Sequence, residues 1–199
     1  TGGVMTPGIG VGSVGLSEAE LAAGIEEAHN SGLLTATHAI GTQGIVNALR
    51  AGIDSIEHGC LLDAEGLELL LDRGAYLVPT LSALATIIRN ADKGEMAEHV
   101  TRKAGQVQER VKSSFAMARD AGVKIAAGTD AGTPYNPHGG LALELELMVE
   151  NGFSPMQAVQ AGTSAAAQLL GMADQIGTVE VGKQADLIAE RCAAADAVI

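Results

Sequence analysis

Three short apolar runs each end in a residue that can bind a metal or carry a proton. Leu33–His38 ends in His38, Ile53–His58 in His58, and Val123–Asp130 in Asp130, the last within Gly128-Thr129-Asp130-Ala131-Gly132. Imidazole and carboxylate are suitable ligands for Zn²⁺ and similar divalent ions. One or two such ions would lower the pKa of a bound water toward about 7 and polarise a carbonyl. A lone histidine at a strand end can instead bond loop backbone, and an aspartate after Gly-Thr can serve as a cap or turn residue. Three such residues in register on successive units weigh toward the metal. Beyond Asp130, His138 in Asn136-Pro137-His138-Gly139 is a candidate substrate contact, with Tyr135 a weaker one. Glu57 precedes His58 and by strand alternation points away from it, a structural position. His29 and His99 fall on helical stretches and read as surface residues. Cys60 reads as a packed small residue rather than a nucleophile.

These residues need a scaffold that brings strand ends together. A fourth run, Ala75–Thr80, joins the other three, and all four are short and bounded by glycine and turn residues, as buried parallel strands are. Ser17-x-x-Glu20 is a capping box, after which Leu21, Ile25 and Ala28 share a face until Gly32. Short helices are expected around 42–51 and 63–73. The longest is expected over about 92–121, with Val100, Val107, Val111, Phe115 and Ala118 among its apolar stripe. Leu141, Leu145 and Met148 mark another, and Ser154-Pro155 starts one more. Alternating strands and helices give an α/β fold with a parallel sheet. Four βα units are half of an eight-unit barrel of about 250 residues, whose active site lies at the C-terminal strand ends. A doubly wound sheet is the competing architecture. Gly8-Ile9-Gly10-Val11-Gly12 lacks a preceding strand and its third glycine is misplaced for a dinucleotide site.

With two Phe, two Tyr and no Trp, the core must be aliphatic. A formal net charge of -12 argues against nucleic acid and anionic membranes as partners. No apolar run approaches the roughly 20 residues that span a bilayer. No signal peptide opens the chain, and Cys60 and Cys192 suggest no disulfide framework, so a reducing cytoplasm is expected. Thr1-Gly2-Gly3 reads as a loop after a strand, and 189–199 lacks periodicity, so the sequence looks cut at both ends.

Thr37-His38-Ala39, Ala51 through Gly59, Val78-Pro79-Thr80-Leu81 and Gly128 through Gly132 follow one another as in the amidohydrolase superfamily. The chain resembles its imidazolonepropionase-like and Xaa-Pro dipeptidase-like branch. Gly177 through Ile188 is similar to that family's return into a small β-domain. The resemblance implies the C-terminal half of a TIM-like (β/α) barrel, about strands five to eight. Residues 1–175 would form the partial barrel, and 176–199 the start of a C-terminal β segment and tail. It further implies that His38, His58 and Asp130 bind metal, most simply zinc, and that Asp130 also takes a proton from the attacking water. The family's His-x-His and carboxylated Lys have no counterpart here. The implied reaction is hydrolysis of amide or peptide C–N bonds in a small molecule or dipeptide. Deamination is a second reading, opposed by Gly41, where the family's deaminases carry Glu. A third is a half-barrel that acts only on assembly, as a homo-oligomer or with a missing N-terminal half.

Overall fold

The computed structural model describes residues 1–94 and 96–188. Its centre is a four-stranded parallel sheet in the order β1 (Ala36–Ala39), β2 (Ser55–His58), β3 (Tyr76–Val78), β4 (Lys124–Ile125). Sequential order in a parallel sheet requires each crossover to return on the same side, and a helix does this each time. Register places Thr37, Ile56, Leu77 and Ile125 in one row across the sheet. Ile56, Leu77 and Ile125 of that row are buried, so this face carries the core. Period-two alternation puts His38, Glu57 and Val78 on the opposite face, which is open along β1.

The helices are α1 (Glu18–Asn30), α2 (Thr42–Ala51), α3 (Ala64–Arg73), α4 (Leu81–Arg89), α5 (Glu98–Asp120), α6 (Leu141–Glu150), α7 (Pro155–Gln160) and α8 (Ala166–Leu169). The Ser17–Glu20 capping box forms, and so does a second between Ser154 and Gln157 ahead of Pro155. α2 and α3 stop at Gly52 and Gly74, both left-handed, a conformation that costs glycine nothing sterically. α5 lays Val100, Val107, Val111, Phe115 and Ala118 into the core, where Phe115 meets Phe153 at 5.1 Å between ring centroids. Each such buried Val or Phe side chain contributes about 1.5–3 kcal/mol.

The structure departs from the sequence expectations at five points. The ladders are shorter than the apolar runs, because strand length is set by pairing and not by hydrophobicity. The helix expected over 92–121 begins at Glu98, after a single 3₁₀ turn at Ala91–Lys93. α4 was not foreseen. On α6 the buried side chains are Glu144, Leu147 and Met148, whereas Leu141 is exposed, so the helix is rotated to bring a glutamate inward. Between Ile176 and Ile188 the backbone forms bends, turns and stretches without regular structure, with Val179, Val181 and Ile188 exposed; the rest of the expected β segment lies outside the described residues. No helix among the described residues is long and apolar enough to cross a membrane.

Candidate functional site

At the C-terminal ends of the strands lies a cavity of about 110 Å³, walled by His38, His58, Thr80, Asp130 and the loop from Gly2 to Thr6. Three of these wall residues are left-handed without being glycine: His58 (φ 71°), Thr80 (φ 48°) and Asp130 (φ 51°). Such backbone costs on the order of 1–3 kcal/mol per residue and persists only where surrounding contacts hold it. At His58 the consequence is geometric. Its register partner Ala39 lies fully buried on the core face. The turn at φ 71° ends the alternation, and the imidazole lies edge-on to His38, with centroids 4.6 Å apart and planes at 74°.

Both rings are held from one side. His38 Nε2 lies 3.2 Å from the Gly2 carbonyl, which can only accept, so His38 donates from Nε2. His58 Nδ1 lies 2.6 Å from Thr80 Oγ1. The loop that supplies Gly2 is itself clamped by α5: buried Lys103 donates to the carbonyls of Gly3 (3.1 Å) and Thr6 (2.5 Å). One helical turn earlier, His99 Nε2 lies 2.9 Å from the Met5 carbonyl. Burial drives the His58 imidazole down to about 3 and lowers His38 as well. Both rings are therefore neutral at physiological pH, the form that donates a lone pair to a metal. Asp130 sits at the mouth, where partial burial raises its carboxyl above the ordinary range and His38 opposes the rise.

The donor chemistry thus suits a divalent ion: two neutral imidazoles in edge contact, with a carboxylate on the same cavity wall. Geometry completes only the pair. Among the described residues, no group of three or more His, Cys, Asp or Glu side chains is arranged to hold an ion.

His138 is exposed on the loop after Asp130, and Tyr135 lies beside Lys93, whose Nζ is 4.9 Å from the ring centroid. Neither lines the cavity. Glu57 also lies outside the lining and accepts the Ser55 hydroxyl at 2.7 Å; burial raises its carboxyl, and the charge of Asp130 adds to this. His29 is exposed and bonds Asp54 at 2.8 Å. Cys60 is buried, its thiol pushed up to about 12.

Sequence reasoning missed a buried carboxylate behind the site. Glu144 accepts the backbone N–H of Leu81 at 2.9 Å and of Ser82 at 2.7 Å, and burial raises its carboxyl while those bonds oppose the rise. Its only sequence signal is its helical spacing from Leu147 and Met148. A larger cavity of about 320 Å³ opens at the other sheet end, beside Asp54, Arg73 and Tyr76. Open parallel sheets bind ligands at the C-terminal strand ends, which favours the smaller one.

Comparison with known proteins agrees with this architecture. Residues 1–191 match the model of the amidohydrolase family. Ochratoxinase of Aspergillus niger is 32% identical over 191 residues, which are 95% of this chain and 39% of that protein. Imidazolonepropionase of Brevibacillus brevis is 30% identical over 154 residues, 70% of this chain and 34% of that one. A solved Xaa-Pro dipeptidase with methionine bound in its active site superposes with a TM-score of 0.83 at 36% identity, covering 92% of this chain and 46% of its own. The chain therefore spans less than half the length of each of these relatives. On the match over 1–191 and the shared parallel α/β fold, the chain belongs to the amidohydrolase family.

Proposed function

We propose that this chain carries the strand-five-to-eight portion of a (β/α)-barrel hydrolase that cleaves amide or peptide C–N bonds with the help of a divalent metal. One observation carries the reading: His38 and His58, at the C-terminal ends of β1 and β2, and Asp130, on the loop after β4, line one cavity, two of them on strained backbone. The family membership and the Xaa-Pro dipeptidase likeness support the bond type.

In this reading His38, His58 and Asp130 would hold the metal, zinc being best matched to nitrogen and oxygen donors. When bound, one or two ions would supply an activated water and a polarised substrate carbonyl. The remaining donors would come from outside this chain, from further sequence of a longer polypeptide or from a second copy. The Asp130 carboxylate takes the proton of the attacking water and passes it to the leaving nitrogen. His138 and Tyr135, on the loop that follows, would contact the substrate. A deaminase reading is disfavoured at Gly41. A Cβ there would lie 2.7 Å from Gly12 Cα, which leaves no room for the glutamate such chemistry requires.

The test is an assay of Xaa-Pro dipeptides and N-acyl amino acids by a protein containing this chain together with the rest of a barrel. Asp130→Asn should lower kcat by about 10²–10⁴-fold with unchanged circular dichroism. Near-normal turnover in that variant would sink the proton-shuttle role.

A further inference from the structure

The first turn of α4 reaches two other walls of the site, the end of β2 and the loop after β4. Thr80 precedes the helix and reaches His58; Ser82 Oγ donates to the Thr129 carbonyl at 3.3 Å, one residue before Asp130. That turn has no cap of its own. Thr80 is the N-cap position, yet it is left-handed and its side chain bonds none of the helix N–H groups. The cap comes from α6, where Glu144, with none of its surface exposed, receives Leu81 N–H and Ser82 N–H on its two carboxylate oxygens. Helix N-termini attract carboxylates because their first N–H groups have no partner within the helix.

The hydroxyl of Thr80 carries a single hydrogen, and it donates to the Pro79 carbonyl at 2.8 Å. The same oxygen can then only accept from His58 Nδ1 at 2.6 Å. We propose that Glu144 and Thr80 act together as positioning residues: Glu144 fixes the first turn of α4, and that turn holds the Thr80 hydroxyl where it locks His58 in its Nδ1–H tautomer with Nε2 bare. A bare Nε2 beside His38 is the lone pair a metal needs. For the tautomer the proposal stands on hydrogen bonds alone; for the metal it rests on the function proposed above.

Long-range ¹H–¹⁵N spectra of the metal-free, histidine-labelled chain test it. His58 should show the Nδ1–H pattern. Thr80→Val should convert it to a tautomer mixture, and Thr80→Ser should restore it. Glu144→Gln, which cannot accept both N–H groups on carboxylate oxygens, should also produce the mixture. An Nε2–H pattern in the unmodified chain, or an unchanged His58 in T80V, overturns the role of Thr80. An unchanged His58 in E144Q overturns that of Glu144. If E144Q does not fold, hydrogen exchange in the unmodified chain decides: Leu81 and Ser82 amides protected like the helix interior support the cap, and amides exchanging at loop rates overturn it.

Calorimetry with zinc chloride alone supplies the second readout. Removing a partner that orients a ligating histidine lowers affinity by about 10–100-fold, so T80V should bind zinc that much more weakly and T80S almost normally. Equal zinc affinity in T80V and the unmodified chain overturns the proposal. An unmodified chain that binds no zinc would defeat the metal reading for this chain and leave the tautomer result intact.

Discussion

Glu144 Oε2 lies 2.7 Å from the backbone nitrogen of Ser82, 62 residues earlier in the chain, and so one helix is capped by the side chain of another. Glu144→Ala would strip two buried N–H groups of their acceptor and leave a void. The expected loss is about 2–4 kcal/mol, read from urea denaturation. The pH dependence has a definite sign. Because burial raises this carboxyl above its ordinary 4.5, the native state holds the proton longer than the unfolded one. Its contribution is complete below 4.5 and declines as pH climbs through the raised native value. Wild-type stability should therefore fall relative to Glu144→Gln across that window; a parallel pair of curves would contradict the shift.

Asp54 behaves in the opposite sense. Burial pushes its carboxyl up, but the bonds from His29 and from the backbone and hydroxyl of Thr35 outweigh burial and hold it below 3.8. Its stabilisation is present above 3.8 and disappears as pH falls through the lowered native value. Asp54→Asn should cost about 1–2 kcal/mol at neutral pH, and the difference should vanish in acid. Thermal melts from pH 7 to pH 2 measure both.

Cys60 should be chemically silent. Its thiol is buried and pushed up to about 12, and only the thiolate attacks. Native protein and its Cys60→Ser variant should take up the same amount of iodoacetamide, with one extra equivalent appearing in the parent only in denaturant. Rapid native labelling at Cys60 would show that the core opens there.

We further expect the 199-residue chain to self-associate. β1 and β4 are each paired on one side only among the described residues, and Leu33 and Leu34, just before β1, are 62% and 55% exposed. Unpaired parallel edges recruit further strands. Sedimentation velocity over a concentration series should show species larger than 20.1 kDa. A compact monomer at every concentration would refute this.

Local signals made most of the scaffold legible. The Ser17 capping box and the Ser154-Pro155 pair marked helix starts to the residue, and the stripe from Val100 to Ala118 marked the buried face of α5. α4 escaped because Ala75–Thr80 reads as one continuous strand and Thr80, at the N-cap position, bonds none of the helix N–H groups; Glu144 supplies the cap from α6. The buried face of α6 was misplaced for the same reason, since Leu-Glu-Leu-Glu-Leu offers a leucine stripe and gives no cue that Glu144 has a partner inside. In the site, strand ends identified His38, His58 and Asp130 as neighbours in space. The hydrogen bond between His58 and Thr80 depends on two left-handed backbones 22 residues apart, which no periodicity encodes.

Those left-handed strand tips set a conflict between durability and chemistry. Glycine adopts the backbone of positions 58, 80 and 130 without penalty, so substitution there relieves strain while deleting the imidazole, hydroxyl or carboxylate. A library of this chain screened for heat resistance alone, with no demand for turnover, would drift toward glycine at the very positions that face the cavity. Retention of His, Thr and Asp at these positions, against that drift, would mark selection for something other than a stable fold.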